Sequence, residues 1–469
     1  MKKFLVGFAI TGLILVAFST CMTAKGQNLP RKGWLGVAAS PLSETQTQAA
    51  KLKPGEGLAV TTIVPGGTFD RIGVKTGDIL LSIDKKPVNT PAQLIAIAQM
   101  LVEGNEIAID MIANGNRTTK TAVVTGKLKE NSPNADVIYD AVKMSLGTLR
   151  TITYVPKERK TKMPAVFYIQ GLPCQSHEFG PDSRDPRKMI FEDWVKAGFV
   201  VFRVERPNIG DSIGTKDCRD LDFNDELEIN KAGYRKLLDQ TYVDQDNVFF
   251  FGHSMGGWTA PQIAQMKQPK GIMVYGTGLV SWFEYFIHLY RIQNTYGGES
   301  HVAAESRTRE MIPFLYEWLE AGKSPDELRK NPAFKRIMDE PGSFEGDYFQ
   351  GRAFGRSANF FYTMSKQNLA AEWAKVTGKV LAMYGEFDVQ ALNGKDAEIV
   401  AEIVNQTHPG NGEYRMIPKT EHIFAKVDSY KQTSDLYASG QYFQYATQNY
   451  NPATGVATIE WMQKAIAGK

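Results

Sequence analysis

Six consecutive residues, Gly252-His253-Ser254-Met255-Gly256-Gly257, restrict what this chain can fold into more than any other stretch. A Gly-x-Ser-x-Gly spacing suits a sharp turn from a strand into a helix. There the backbone passes close to neighbouring segments and the serine stands on strained backbone at the end of the strand. The flanks agree with that geometry. Asp246-Asn247-Val248-Phe249-Phe250-Phe251 predicts a short buried strand, and the small residues from Thr259 to Met266 predict a helix. A helix beginning there turns backbone N–H groups and the positive end of its dipole toward any negative charge developing beside the serine. Ser254 is therefore the candidate nucleophile, and Gly252 and Gly256 are the positions where a side chain would not fit.

A serine hydroxyl attacks only when a base takes its proton and a third group orients the base. Proteins with such a Gly-x-Ser-x-Gly turn carry the carboxylate and then the histidine after the serine, and this sequence offers candidates for both in that order. Lys379-Val380-Leu381-Ala382-Met383-Tyr384 predicts a strand, with Gly385-Glu386-Phe387-Asp388 at its C-terminal end, where catalytic groups of open α/β sheets lie. Asp388 is the candidate acid, with Glu386 as its competitor. Tyr414-Arg415-Met416-Ile417 predicts a further strand and Thr420-Glu421-His422-Ile423-Phe424 follows it. Of six histidines only His408 and His422 lie beyond Asp388. His408 sits in a helix-end pattern, Thr407-His408-Pro409-Gly410, so His422 is the candidate base. His253 reads as a packing residue.

Residues 137–469 resemble the α/β-hydrolases: Ser254, Asp388 and His422 each match that family's pattern. The run Gln170-Gly171-Leu172-Pro173-Cys174, with Arg203-Val204-Glu205 and the segment from Cys218 to Glu226, resembles bacterial envelope hydrolases near the dienelactone-hydrolase and prolyl-oligopeptidase branches. Gln170 stands where the family usually carries His. The resemblance implies an α/β fold, a doubly wound and mostly parallel sheet. It also implies an oxyanion hole formed by the backbone N–H groups of Leu172 and Met255, and a reaction that uses no cofactor and no metal. The long spacing from Ser254 to Asp388 predicts a helical, aromatic cap over about residues 281–376. Within it, Trp282 to Tyr290 is the candidate wall of a substrate pocket, and Trp258 reads as core.

The N-terminus sets the compartment. Lys2 and Lys3 precede an apolar run from Phe4 to Phe18, which predicts a secretory signal over residues 1–24 and is too short for a membrane span. The mature chain is thus expected to have no transmembrane helix, to be exported, and to be periplasmic, envelope-associated or secreted. Cys21 is the residue a lipid anchor would use, although Thr20 occupies a site usually filled by Gly, Ala or Ser. Losing residues 1–24 takes the net charge from +3 to about +1, which leaves no electrostatic case for nucleic acid. Of three cysteines, Cys174 and Cys218 remain after export, and an even pair in an oxidising compartment predicts a disulfide. With Cys174 three residues past Gly171, such a bridge would tether the oxyanion loop.

Ahead of the hydrolase-like region, about residues 32–126 form a second unit. Gly33-Trp34-Leu35-Gly36-Val37 opens it, Gly57 to Gly67 and Gly73 to Ile83 follow, and Pro91-Ala92-Gln93-Leu94 begins a helix. Short alternating strands broken by Pro-Gly and Thr-Gly turns predict a small, mainly-β domain. The helix, Pro91 to Val102, is expected to present Leu94, Ile95, Ala98 and Leu101 on one face. The unit resembles a bacterial-type PDZ domain. By that resemblance Leu35, Gly36 and Val37 would capture a peptide C-terminus; the alternative is a module that only packs on the enzyme or mediates assembly. Residues 127–136 are polar and read as the linker.

Together these features predict an exported serine hydrolase that cleaves carboxylic esters through an acyl-enzyme. The alternatives are a serine peptidase using the PDZ domain for substrate selection and a non-catalytic peptide-binding envelope protein. A pair of charges gripping a free amine would favour the peptidase, and Glu205, Arg206, Glu284 and Arg291 are the candidates for it.

Overall fold

The computed structural model describes residues 29–339 and 352–468. The expected signal segment, Cys21 and part of the cap (340–351) lie outside the described residues.

The first unit is a six-stranded antiparallel sheet. Its strands run Val37–Pro41, Leu58–Ile63, Ile79–Ile83, Glu106–Ala113 and Asn116–Val123 in that spatial order, and Lys86–Pro87 pairs with Ile79–Ile83. Leu58, Val60, Phe69, Leu80, Ile83 and Ile109 fill its core. The helix Pro91–Met100 starts at a capping box between Thr90 and Gln93. Leu94 and Ala98 face the core, while Ile95 is 56% exposed, against expectation. The reason is geometric: residue 95 lies about 100° around the helix from residue 94, off the face that repeats every three or four residues.

Alternating strands and helices then build a nine-stranded sheet. Ala135–Met144 pairs antiparallel with Gly147–Pro156, which also pairs with Val200–Val204 and Ile213–Gly214. Parallel strands follow: Val200–Val204, Met163–Ile169, Val243–His253, Gly271–Tyr275, Lys379–Gly385 and Gly412–Ile417. The central strands are apolar on both faces because helices cover both. Phe250 packs on one side with the helices Phe223–Leu238 and Gly256–Ala264. Phe249 and Phe251 pack on the other with Pro186–Lys196 and Ala453–Ile466.

The chain runs from Met163–Ile169 outward to Val200–Val204, then crosses back to add Val243–His253 on the opposite side. This reversal opens a crevice at the C-terminal ends of Met163–Ile169 and Val243–His253, the place where doubly wound sheets bind ligands. Gly171 and Ser254 emerge there.

The described residues of 281–376 are mostly helical, from Trp282–His288 to Leu369–Trp373, with a short hairpin of Arg352–Ala353 and Arg356–Ser357. Its buried rings Trp282, Phe286, Phe314, Trp318 and Phe361 join the apolar cluster of the main sheet instead of forming a separate core. Trp258 is buried against Trp282, with ring centres 5.8 Å apart.

The polar stretch 127–136 is no loose tether. Glu130 is buried and accepts hydrogen bonds from Arg203, Tyr154 and the N–H of Phe179. Arg31 bonds Asp211 at 2.5 Å and Glu178 at 2.7 Å, tying the small domain to the large one. Cys174 and Cys218 form a disulfide with Cα atoms 5.9 Å apart. Closing a loop of 44 residues restricts the unfolded chain by about 4 kcal/mol on the chain-entropy model.

Candidate active site

The serine turn explains its own glycines. Ser254 has φ 55°, a left-handed conformation that non-glycine residues rarely adopt. Two hydrogen bonds hold it: its N–H to the carbonyl of Tyr275 and its carbonyl from the N–H of Gly257, both 2.9 Å. A Cβ on Gly252 would meet the backbone of Gly256 at 2.7 Å, and one on Gly256 would meet the carbonyl oxygen of Ile169 at 2.3 Å. Strain is thus stored at Ser254 and maintained by packing that only glycine permits.

Two loops converge at the same end of the sheet. His422 Nδ1 lies 2.7 Å from Asp388 Oδ2. Asp388 is fully buried, and its other oxygen accepts the N–H groups of Gln390 and Ala391 at 2.8 and 2.9 Å. The structure brings Asp388, and not Glu386, to the imidazole; Glu386 instead accepts the N–H of Lys419. His408 caps the helix Lys395–Thr407, away from this cluster. Gly276, one residue past the Tyr275 that anchors Ser254, closes the geometry. A Cβ there would meet Asp388 Oδ2 at 2.7 Å and His422 Nδ1 at 2.9 Å. Burial pulls the His422 pKa down, but the Asp388 carboxylate and its hydrogen bond outweigh it, and the net shift is upward. Among the described residues His422 bonds Asp388 through Nδ1 and makes no hydrogen bond to Ser254; such contacts often tighten only with substrate bound.

Opposite Ser254 lies the loop from Gln170 to Cys174. A Cβ on Gly171 would stand 3.2 Å from the Cβ of Ser254 and 3.7 Å from its hydroxyl oxygen, so a side chain at 171 would crowd the serine. The N–H groups of Leu172 and Met255 have no acceptor among the described residues. Two free backbone donors flanking a serine are what an oxyanion hole requires. Gln170 points away and contacts the carbonyl of Val204.

Reading the sequence missed two side chains. His253 does more than pack: its ring donates from Nε2 to the carbonyl of His422 at 2.8 Å and accepts at Nδ1 from Tyr168 at 3.1 Å. Burial, reinforced by the neighbouring His422, holds its pKa well below the usual value. A neutral ring with one donor and one acceptor fits those two partners. Glu421 is fully buried and accepts from the N–H groups of Ile423 and Ala425 and from Tyr442, shaping the turn that carries His422. Burial pushes its pKa up to about 7. Neither role leaves a trace in spacing or composition. His253→Phe keeps the ring volume and leaves the His422 carbonyl unpaired. The expected result is a kcat lower by about tenfold, KM nearly unchanged, and a stability loss of about 1–3 kcal/mol, read from steady-state kinetics and denaturant unfolding.

The four charges considered for amine capture have other partners. Glu205 is buried and accepts from Ser176 and the N–H of His177 through one oxygen, while its other oxygen has no partner among the described residues; Arg206 is buried against Glu226. Glu284 forms a capping box with Ser281, and Arg291 pairs with Glu305. In the small domain Val37–Pro41 is an edge strand, flanked by the helix Pro91–Met100. The N–H groups of Leu35 and Gly36 lack acceptors among the described residues. Gly36 has φ 68°, and a Cβ there would strike Gly67 at 2.7 Å. Among the described residues no cluster of metal-ligating side chains occurs, and no helix is long and apolar enough to cross a membrane.

Comparison with known proteins identifies the small domain. Residues 59–107 match the family model of the PDZ domain. The periplasmic serine endoprotease DegP of Salmonella typhimurium is 26% identical over 114 residues, 24% of this chain and 24% of DegP. The magnetosome formation protease MamE of Magnetospirillum gryphiswaldense is 29% identical over 101 residues, 22% of this chain and 13% of MamE. The chain therefore spans a quarter or less of the length of these relatives. Among solved structures, Est1E from Butyrivibrio proteoclasticus aligns at 17% identity and a TM-score of 0.42, over 71% of this chain and 99% of its own. The protein carries a PDZ domain, matched over residues 59–107, joined to the mixed, mostly parallel, doubly wound sheet flanked by helices that the sequence predicts.

Proposed function

We propose that this protein is an exported serine hydrolase that cleaves carboxylic esters, with its PDZ domain binding a peptide C-terminus. The observation that supports the reading is the hydrogen-bonded Asp388–His422 pair at the same end of the sheet as a strained Ser254, with the Leu172 and Met255 amides free among the described residues. In this reading Ser254 attacks the ester carbonyl and His422 takes its proton. Asp388 orients the imidazole and stabilises its charged form. The Leu172 and Met255 N–H groups hold the oxyanion, and one such donor is worth about 3 kcal/mol in the transition state. His422 then protonates the departing alkoxide, and water releases the acyl group by the reverse sequence.

An ester is preferred to a free-amine peptide because Arg206 is committed to Glu226, and Glu284 and Arg291 are paired with Ser281 and Glu305. Export is supported by the basic and apolar N-terminal sequence and by the disulfide. The periplasmic setting of DegP, which the small domain resembles, agrees. The test is turnover of p-nitrophenyl acetate and butyrate beside a panel of aminoacyl and peptidyl p-nitroanilides. Ester turnover with the anilides untouched is the expected outcome. Anilide cleavage would replace it with the peptidase reading, in which the PDZ domain selects the substrate.

A further inference from the structure

Behind the Gln170–Cys174 loop sit three charged side chains that the mechanism above does not use. Arg206, Glu226 and Arg356 are each fully buried. Arg206 comes from the segment after Val200–Val204, Glu226 from the first turn of Phe223–Leu238, and Arg356 from the cap hairpin. Both arginines share Glu226: Arg206 Nε donates to its two oxygens at 2.9 and 2.8 Å, and Arg356 Nη2 to one of them at 3.2 Å. Three of their other bonds go to one short stretch of backbone, and a fourth to the carbonyl of Cys218. Arg206 Nη2 bonds the carbonyl of Gly171 at 2.6 Å and Nη1 that of Pro173 at 2.7 Å. Arg356 Nε bonds the carbonyl of Leu172 at 2.9 Å, and Nη1 that of Cys218, the far side of the disulfide, at 3.0 Å. Three successive carbonyls of the loop are thus each held by a guanidinium.

We propose that Arg206 and Arg356, balanced on Glu226, are positioning residues that aim and polarise the Leu172 amide as an oxyanion donor. This rests on the hydrolase reading of Ser254. A trans peptide points its C=O and N–H in opposite directions, and the structure holds no cis bonds among the described residues. Fixing the Gly171 carbonyl toward Arg206 therefore fixes the Leu172 N–H away from it. A cation on that carbonyl also polarises the peptide unit and strengthens its N–H as a donor.

The two halves of the oxyanion hole differ in what stands behind them. Met255 lies at the positive end of the helix Gly256–Ala264. Leu172 has no helix behind it; two guanidiniums against one carboxylate leave one net positive charge in its place. Stability alone is a poor account of the trio, since burying charges costs desolvation that apolar packing avoids. Because Arg356 belongs to the cap hairpin, the same contacts register the position of that hairpin at the loop.

The test compares wild type with Arg356→Met, Arg356→Lys and Arg206→Lys. Each is assayed for kcat, KM, and affinity for a trifluoromethyl ketone, which captures the serine as a tetrahedral oxyanion; melting is followed in parallel. Arg356→Met is expected to lower kcat by about 10- to 100-fold with KM within about threefold, and to weaken the ketone by the same factor as kcat. Arg356→Lys is expected to recover part of both. If Arg356→Met does not fold, Arg206→Lys carries the test, because it keeps the charge and replaces the fork by a single donor. Unchanged ketone affinity in the folded variants, or a kcat loss that only follows the loss of folded protein, overturns the proposal. A wild-type protein whose turnover does not depend on Ser254 overturns the hydrolase reading itself, an outcome distinct from a Ser254-dependent enzyme indifferent to Arg356.

Discussion

Ser254→Ala is expected to lower ester turnover by about 10⁶-fold, to a residue set by binding and the oxyanion donors alone. The size follows from what the hydroxyl does. In the proposed reaction its oxygen forms the acyl bond, so its removal eliminates the covalent route and does not merely slow it. Alanine keeps the same left-handed strain at φ 55°, and the melting temperature should stay close to wild type. Ser254→Gly relieves that strain, and should melt higher while being equally inactive. Steady-state turnover of p-nitrophenyl butyrate, mass labelling by a fluorophosphonate and a thermal melt check the three statements together. Wild-type activity in the alanine variant would remove Ser254 from the chemistry.

Asp388→Asn is expected to lower kcat by about 10⁴-fold and to move the pH profile. Asp388 is buried, and its Oδ2 is 2.7 Å from His422 Nδ1, so the carboxylate selects the tautomer that leaves Nε2 free to take a proton. Asparagine at that position can present its NH₂ to Nδ1 and so stabilise the opposite tautomer. The pH effect has a defined sign. The base must be neutral to accept a proton, so kcat/KM rises with pH through the pKa of His422. In the native protein burial lowers that pKa, but Asp388, with a smaller contribution from Glu421, raises it above the ordinary histidine value. Asparagine removes the dominant raising interaction and leaves the burial. The rising limb of kcat/KM, measured from about pH 5 to 9, should therefore shift to lower pH in the variant even as its height falls. A limb that stays in place would mean that another group controls it.

Much of this site is local in sequence, and that part is legible in the residue order. The serine turn depends on residues within six positions of one another, and the glycine demands at 252 and 256 are contacts with that turn and the adjacent strand. Asp388 and His422 stand just beyond the ends of two strands, where sheet topology delivers them to one edge. The paired cysteines followed from number and compartment. Asp388 was the candidate acid from its place in the loop, but Glu386 stayed in competition until the path of the chain put Asp388 against the imidazole and turned Glu386 to the N–H of Lys419.

Residue order was thus enough for the nucleophile turn, the alternation of strand and helix, the cystine and the small domain's pattern of strands and turns. All of these are carried by spacing, periodicity or chain order. Packing in three dimensions selected which polar groups meet across the fold: His253 under the carbonyl of His422, Glu130 of the supposed linker buried on Arg203, and two arginines from distant segments joined on Glu226 behind the Leu172 amide. The bond from Arg356 to the Leu172 carbonyl joins residues 184 positions apart. A buried charge declares itself only through the partner that neutralises it. No local pattern records that partner, because the constraint is one of proximity in space and the dielectric of the interior, not of neighbours along the chain.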